Sequence, residues 1–558
     1  MNIDRVSFLP PSADRLAWHL RAALAIPVPS RVLSVRVNGE LWDDWALLQG
    51  GHVVPTLAAD GSHGVRRPAQ YVSSASAGGE FLDGRGAPEV AAYVPWEGGA
   101  EYELSVEVAA PGQDAQQLTA TVRAPAAGGF PFAGWPRHRV FHLRETAGLA
   151  RAREPVEVLL SAYGHECASW EKELRVGVYD PHSGDTTSVP FEVVKETRAN
   201  HTSTTRRELC TSAWVVVFVD AAAGADLLLT CAWGRADSEP ADMTPFGPDL
   251  QVEGEAPKLT GVRNGHYAAE LCPRSGQLAG LQALVPGTKG PGDEDTGARD
   301  FFYSPGKGEN HFLHYNPDLW IPDSTWTHAS DWNPAPYTTA SAGPLVARAR
   351  HWGHLPRLPG VHCSVEYTFY AWTPWIRTRT VLEVEAVLTT NGIRNEEIVI
   401  NADQADRCAW KGLDGQVHDR AAVGDPALPS GIVAVVENEA PWVTLYDGAS
   451  GAGIAGIRVN QQATTRGEGE RAYWNTGTLI VDYGWGFKYW SRSLIYGTGD
   501  FWPDREYVVE PGPLYTDECA YMPVVVREEG AARFAALDAA EAQLRQPLRR
   551  VWTGSGPY

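Results

Sequence analysis

Residues 361–388 read VHCSVEYTFYAWTPWIRTRTVLEVEAVL. Aromatic and β-branched side chains alternate with polar ones on both sides of Thr373-Pro374, where proline presets the backbone for a turn. The pattern predicts a long hairpin whose strands are long enough for a large sheet.

Upstream, LTGVRNGHYAAELCPRSGQLAGLQAL (259–284) gives a strand, a turn at Pro273–Gly276 and a returning strand. These segments anchor a large β region at 251–530. Residues 31–110 hold short strands such as RVLSVRV and EYELSVEVA, and place a β-sandwich at 1–123. The Gly- and Pro-rich stretch 124–136 reads as a linker. Five strands follow within about 100 residues, the pattern of an immunoglobulin-like sandwich at 137–250. One hairpin there, YDPHSGDTTSVPFEV, turns through Asp180, Pro181, Ser183 and Gly184. Helical spacing is scarce. It occurs at AARFAALDAAEAQLR (531–545), which places a C-terminal helix and tail at 531–558, and again near Asp14–Leu24. The expected fold class is all-β: two sandwiches, a large β-super-sandwich and a C-terminal helix.

Composition agrees. The 558 residues exceed what one core organises, and 44% are hydrophobic, enough for sizeable cores. The 21 Trp, 20 Tyr, 56 Gly and 40 Pro against three Met are the profile of a β-rich chain with many turns. A net charge of -21 argues against a general nucleic-acid or anionic-membrane partner. The seven cysteines are odd in number and form no CxxC pair, so neither a disulfide framework nor a thiolate zinc site is expected. The start lacks a secretory pattern, and no stretch of about 18 apolar residues occurs. The expected location is cytoplasmic, and the composition is compatible with a homo-oligomer.

The pair NGHYAAEL…SGQLAGLQAL and VEYTFYAWTPWIRTRTVLEV resembles the β-super-sandwich of the galactose-mutarotase-like superfamily, over about residues 255–530. That fold recurs in polysaccharide lyases and at the C-terminal end of several glycoside hydrolases. The resemblance implies a carbohydrate substrate. It rests on strand pattern, so no catalytic residue is carried over from it, and the helical toroid that accompanies the sandwich in many lyases is absent.

The densest chemistry lies at 310–357. Five of the 16 histidines fall there (His311, His314, His328, His351 and His354), with Tyr315, Tyr337, Asn310, Asn316, Asn333, Asp318, Asp323 and Asp331. Trp320, Trp326, Trp332 and Trp352 are interleaved, and Arg348, Arg350 and Arg357 follow. Prolines 317, 322, 334 and 336 exclude a helix across the middle and point to a long loop. If 311–315 is extended, His311 and Tyr315 share one face, and His314 takes the other with Asn316.

Three chemistries fit. In the leading one, a lyase removes the proton beside a uronate carboxylate. His311, His314, Tyr315, His328 and Tyr337 are its acid and base candidates. Arg348 and Arg350, with Asn310, Asn316, Trp332, Asn333 and His351, are the substrate-binding candidates. The alternative is a glycoside hydrolase with a carboxylate pair drawn from Asp318, Asp323, Asp331, Glu366, Glu396 and Glu397. The third is a metal at His311 and His314, whose rings would diverge on a strand, so no cofactor is expected. A non-catalytic carbohydrate-binding protein is the reading from a different class. A second aromatic run, YWNTGTLIVDYGWGFKYWSRSLIYGTGDFW (473–502), predicts two strands bent at Gly484 and Gly486. Trp485 and Trp490 are candidates there for stacking on sugar rings, with Arg377 and Arg379 on the same concavity. The expected ligand is an oligosaccharide or polysaccharide.

Overall fold

The computed structural model describes the chain apart from residues 10–18, 28–29, 43–44, 50–51, 54–69, 73–87, 95–96, 111, 125–131, 133, 163–166, 181–184, 201–207, 285–298, 302–312, 323–324, 466–476, 496–506, 527–529 and 553–558. The fold is all-β. Among the described residues α-helix is confined to Trp170–Glu173 and Ala535–Arg545, and neither helix is long and apolar enough to cross a membrane. The chain divides into two compact units. One comprises residues 1–152, 156–242 and 548–558, and the other residues 153–155 and 243–547.

The first unit holds two pairs of sheets. The expected helix near 14–24 is a strand where it is described: His19–Ala25 pairs with Asn2–Leu9 and with Pro88–Tyr93. Leu20, Ala22 and Leu24 are buried on one face, and Arg21 meets Glu89 on the other. Alternation at period two overrode the helix-forming alanines. In the second pair, Arg175–Tyr179, Asp226–Trp233 and Arg137–Arg144 form one sheet, which Arg549–Trp552 extends at its edge. The hairpin predicted around residue 180 pairs Gly177 with Ser188, and its turn at 181–184 lies outside the described residues.

The second unit is built on the opening hairpin. Leu358–Tyr370 pairs with Ile376–Val384 through Phe369 and Ile376, and both belong to a nine-stranded sheet. The turn at 273–276 also forms, with Gly276 at φ +74° packed where a Cβ would stand 2.1 Å from the His351 ring. A seven-stranded sheet faces the nine-stranded one. The helix Ala535–Arg545 covers part of the nine-stranded sheet, where Phe534, Leu537 and Ala540 pack on Trp442, Tyr446 and Ala455. Burying one such leucine is worth about 1.5–3 kcal/mol.

One irregularity positions the site. The Gly392–Asn401 strand, central in the seven-stranded sheet, carries a bulge between Asn395 and Ile398, with Glu396 at φ +53°. An extra residue flips the alternation beyond it. Arg394, Glu397 and Val399 therefore share the outer face, whereas Glu396 turns inward to Asp517 and Cys519 of the nine-stranded sheet.

Candidate functional site

The outer face of the seven-stranded sheet holds a cavity of about 430 Å³. Its polar floor is Asp318, Arg394, Glu397 and His328, and its walls include Tyr315, Trp320, Trp326, Tyr483, Trp485 and Tyr489. The hairpin of Asp318–Ile321 and Thr325–His328 brings Trp320 opposite Trp326 in register, and the rings stack at 5.4 Å. The bend at Gly484 and Gly486, both at positive φ, lifts Trp485 out to 70% exposure, stacked on Tyr483 at 4.5 Å. The cavity thus has two aromatic platforms above a charged floor.

Arg394 organises that floor. It donates from Nε and Nη2 to the two oxygens of Asp318 at 3.0 and 2.7 Å, a bidentate pair. Its guanidinium lies 3.9 Å from the centroid of Trp326. Its third nitrogen, Nη1, is 3.0 Å from Glu397 Oε2, which nonetheless accepts no directed hydrogen bond. Glu397 therefore gains charge proximity without the bond that would hold it ionised. Burial outweighs the pull of Arg394, the Asp318 carboxylate adds repulsion, and the Glu397 carboxyl is pushed up to about 8. The shift favours the protonated acid in the fold.

The sequence candidates divide among three places. Tyr315, His328 and Trp485 line the cavity. His328 meets Tyr315 edge-on at 5.2 Å, with its Nδ1 2.9 Å from Ser330 Oγ and 3.1 Å from Asp331 Oδ1. His314 and Asn316 face the interior, as alternation with Tyr315 required. His314 is fully buried between Tyr367 Oη (2.7 Å) and Tyr521 Oη (2.8 Å), and burial drives its pKa down to about 3. Asn316 is buried against Thr380 and the Glu396 amide. Trp490 is wholly inside the sandwich, because Phe487 and Tyr489 take the cavity face of its strand. None of these three buried side chains reaches the cavity.

Arg348, Arg350, His351 and Tyr337 belong to the nine-stranded sheet. Arg350 donates to Ser364 Oγ, and Tyr337 stacks on Trp352. His351 is buried against Gly276, its pKa lowered to about 4 by burial. Arg377 and Arg379 are on that sheet too, paired with Glu518 rather than lining the aromatic concavity. Trp332 is buried and donates to the His354 carbonyl, and Asn333 is exposed beside it. Asn310 and His311 lie outside the described residues. The long loop expected at 310–357 is in part the hairpin that carries Asp318 and His328.

Sequence reasoning named Asp318 and Glu397 only among other carboxylates, and missed Arg394. The signal was GIRNEEIVI (392–400), four polar residues interrupting a central apolar strand. Such an interruption marks a bulge or a buried charge cluster, and here it is both.

The sequence matches no protein-family model and no curated protein. Solved structures similar to the chain include an α-mannosidase from Enterococcus faecalis V583, 13% identical over 75% of this chain and 47% of that one, with a TM-score of 0.42. A glycosyl hydrolase family 38 protein from Enterococcus faecalis is 12% identical over 73% and 46% of the two chains, with a TM-score of 0.39. The α-galactosidase from Lactobacillus brevis is 11% identical over 51% and 41%, with a TM-score of 0.30. The chain spans about half the length of the first two, or less. Likeness at this level assigns no activity, so the reading of the site rests on its own geometry.

Proposed function

We propose that the cavity binds a neutral saccharide and hydrolyses its glycosidic bond. Glu397 supplies the proton to the leaving oxygen, and Asp318 is the carboxylate facing the positive charge that develops at the anomeric carbon. The observation that supports this most is the buried Glu397 carboxyl, pushed toward its protonated form in an aromatic-walled cavity beside a carboxylate held by Arg394. A buried carboxyl pushed toward its acid form, beside a carboxylate held in a bidentate pair by an arginine, is the pattern of an acid and its anionic partner. Trp485 and the Trp320–Trp326 pair offer flat apolar faces for sugar rings.

The charge balance disfavours elimination on a uronate. A lyase needs an uncommitted cation against the substrate carboxylate. Among the described residues, Arg394 is committed to Asp318 in a bidentate pair, and Arg348 and Arg350 are on the other sheet. The described residues therefore favour the hydrolase reading, the alternative drawn from the sequence, over the lyase reading. The test is aglycone release from a panel of neutral aryl glycosides. The expected result is release by the wild type, with Glu397→Gln retaining binding and losing release by about 10²–10⁴-fold. Binding with no release by either protein would leave a carbohydrate-binding module instead.

A further inference from the structure

The strand that presents Glu397 to the cavity presents Glu396 to the opposite side. There Glu396 meets Asp517 and Cys519, successive inward positions of Pro513–Val525. One ligand-type atom from each residue lies within 4.8 Å of the others. All three side chains are at most 1% exposed. Arg492 donates to Glu396 Oε2 and to the Asn438 carbonyl. Glu396 Oε1 and both oxygens of Asp517 accept no hydrogen bond from any described residue. Arg492 and Arg458 act on Asp517 through charge, yet neither donates to it. A buried carboxylate with both oxygens orphaned is costly, and so is a glutamate held at φ +53°. Their coincidence at one point calls for a ligand that satisfies the first and justifies the second.

We infer that Glu396, Asp517 and Cys519 bind a divalent cation of the zinc type between the two sheets. Two carboxylate oxygens and one sulfur form a donor set suited to zinc, and the sulfur disfavours calcium and magnesium. The cation takes Glu396 Oε1, one oxygen of Asp517 and the sulfur, and a water completes the fourth position. Arg492, on the second oxygen of Glu396, orients that ligand from outside. The Cys519 thiol, which burial holds protonated, loses its proton as the metal–sulfur bond forms. Because Glu396 and Glu397 are adjacent, the cation pins the bulge that aims Glu397 at the cavity. The site itself stands whether or not the cavity hydrolyses glycosides.

The test uses full-length protein from a zinc-supplemented culture. About one zinc per chain is expected in the wild type and in Glu397→Gln, and none in Cys519→Ala or Asp517→Asn. Chelation is expected to lower the melting temperature of the wild type, and zinc alone to restore it, with Cys519→Ala indifferent to both. If a variant does not fold, the zinc content of the wild type and its melting response to chelation and zinc decide. Wild-type protein with no zinc above background, and a melting curve that neither zinc nor chelator moves, overturns the inference.

Discussion

Replacing Glu397 by glutamine tests whether burial keeps this side chain protonated. Glutamine has the shape of the protonated acid and cannot ionise. The Glu397 carboxyl rises from its ordinary 4.5 to about 8 in the fold, because burial and Asp318 outweigh Arg394. An acid whose folded pKa is raised binds its proton more tightly folded than unfolded. Below the unfolded value both states are protonated, and the group costs nothing. Between there and about 8 the folded state alone keeps the proton, so stability falls as pH rises. The full cost, on the order of 5 kcal/mol at 1.36 kcal/mol per unit, is present above pH 8. Titrations elsewhere in the chain are common to the wild type and Glu397→Gln and cancel between them. The informative quantity is therefore the difference between them. Denaturant midpoints at about pH 5, 7 and 9 should show Glu397→Gln gaining on the wild type at each step, by several kcal/mol in total. A difference that stays constant across that range would refute the account of Glu397.

Other changes separate the cavity from its surroundings. Trp485→Ala removes an exposed ring, so stability should change by no more than about 0.5 kcal/mol. Saccharide affinity should fall about tenfold, or 1.4 kcal/mol, in a titration calorimeter. Asp318→Asn strips the buried Arg394 of its bidentate partner and should cost about 3–5 kcal/mol in denaturant unfolding, along with turnover. The double change of Arg348 and Arg350 to alanine should leave aglycone release unaltered, since both lie on the sheet away from the cavity. His314→Ala should destabilise by about 2–5 kcal/mol, leaving a cavity and depriving the buried Tyr521 hydroxyl of its imidazole partner, without altering the site cavity.

The large sheets were legible because their signals are local. The hairpin around Thr373-Pro374, the turn ending at Gly276 and the bend at Gly484 and Gly486 each depend on turn chemistry within a few residues. Alternation also placed His314 and Tyr315 on opposite faces. Which face carries the cavity was not legible: a strand pattern separates two sides without saying which one meets a second sheet. His314, Asn316 and Trp490 went inward for that reason. The bulge at Glu396 defeated the count further along, because one inserted residue exchanged the roles of adjacent glutamates. Arg394 escaped notice because its value lies in Asp318, distant in sequence, which only strand pairing brings opposite. Of the helix expected near Asp14–Leu24, the described part from His19 on is a strand, because sheet pairing outweighs the helix preference of its alanines.

The most direct test of the central claim incubates wild type and Glu397→Gln with neutral and uronate-containing oligosaccharides, following reducing ends and ultraviolet absorbance together. The account predicts that reducing ends rise on a neutral saccharide with no new absorbance, and that Glu397→Gln abolishes the rise. Absorbance rising on a uronate substrate, undiminished in Glu397→Gln, would contradict it and return the chemistry to elimination.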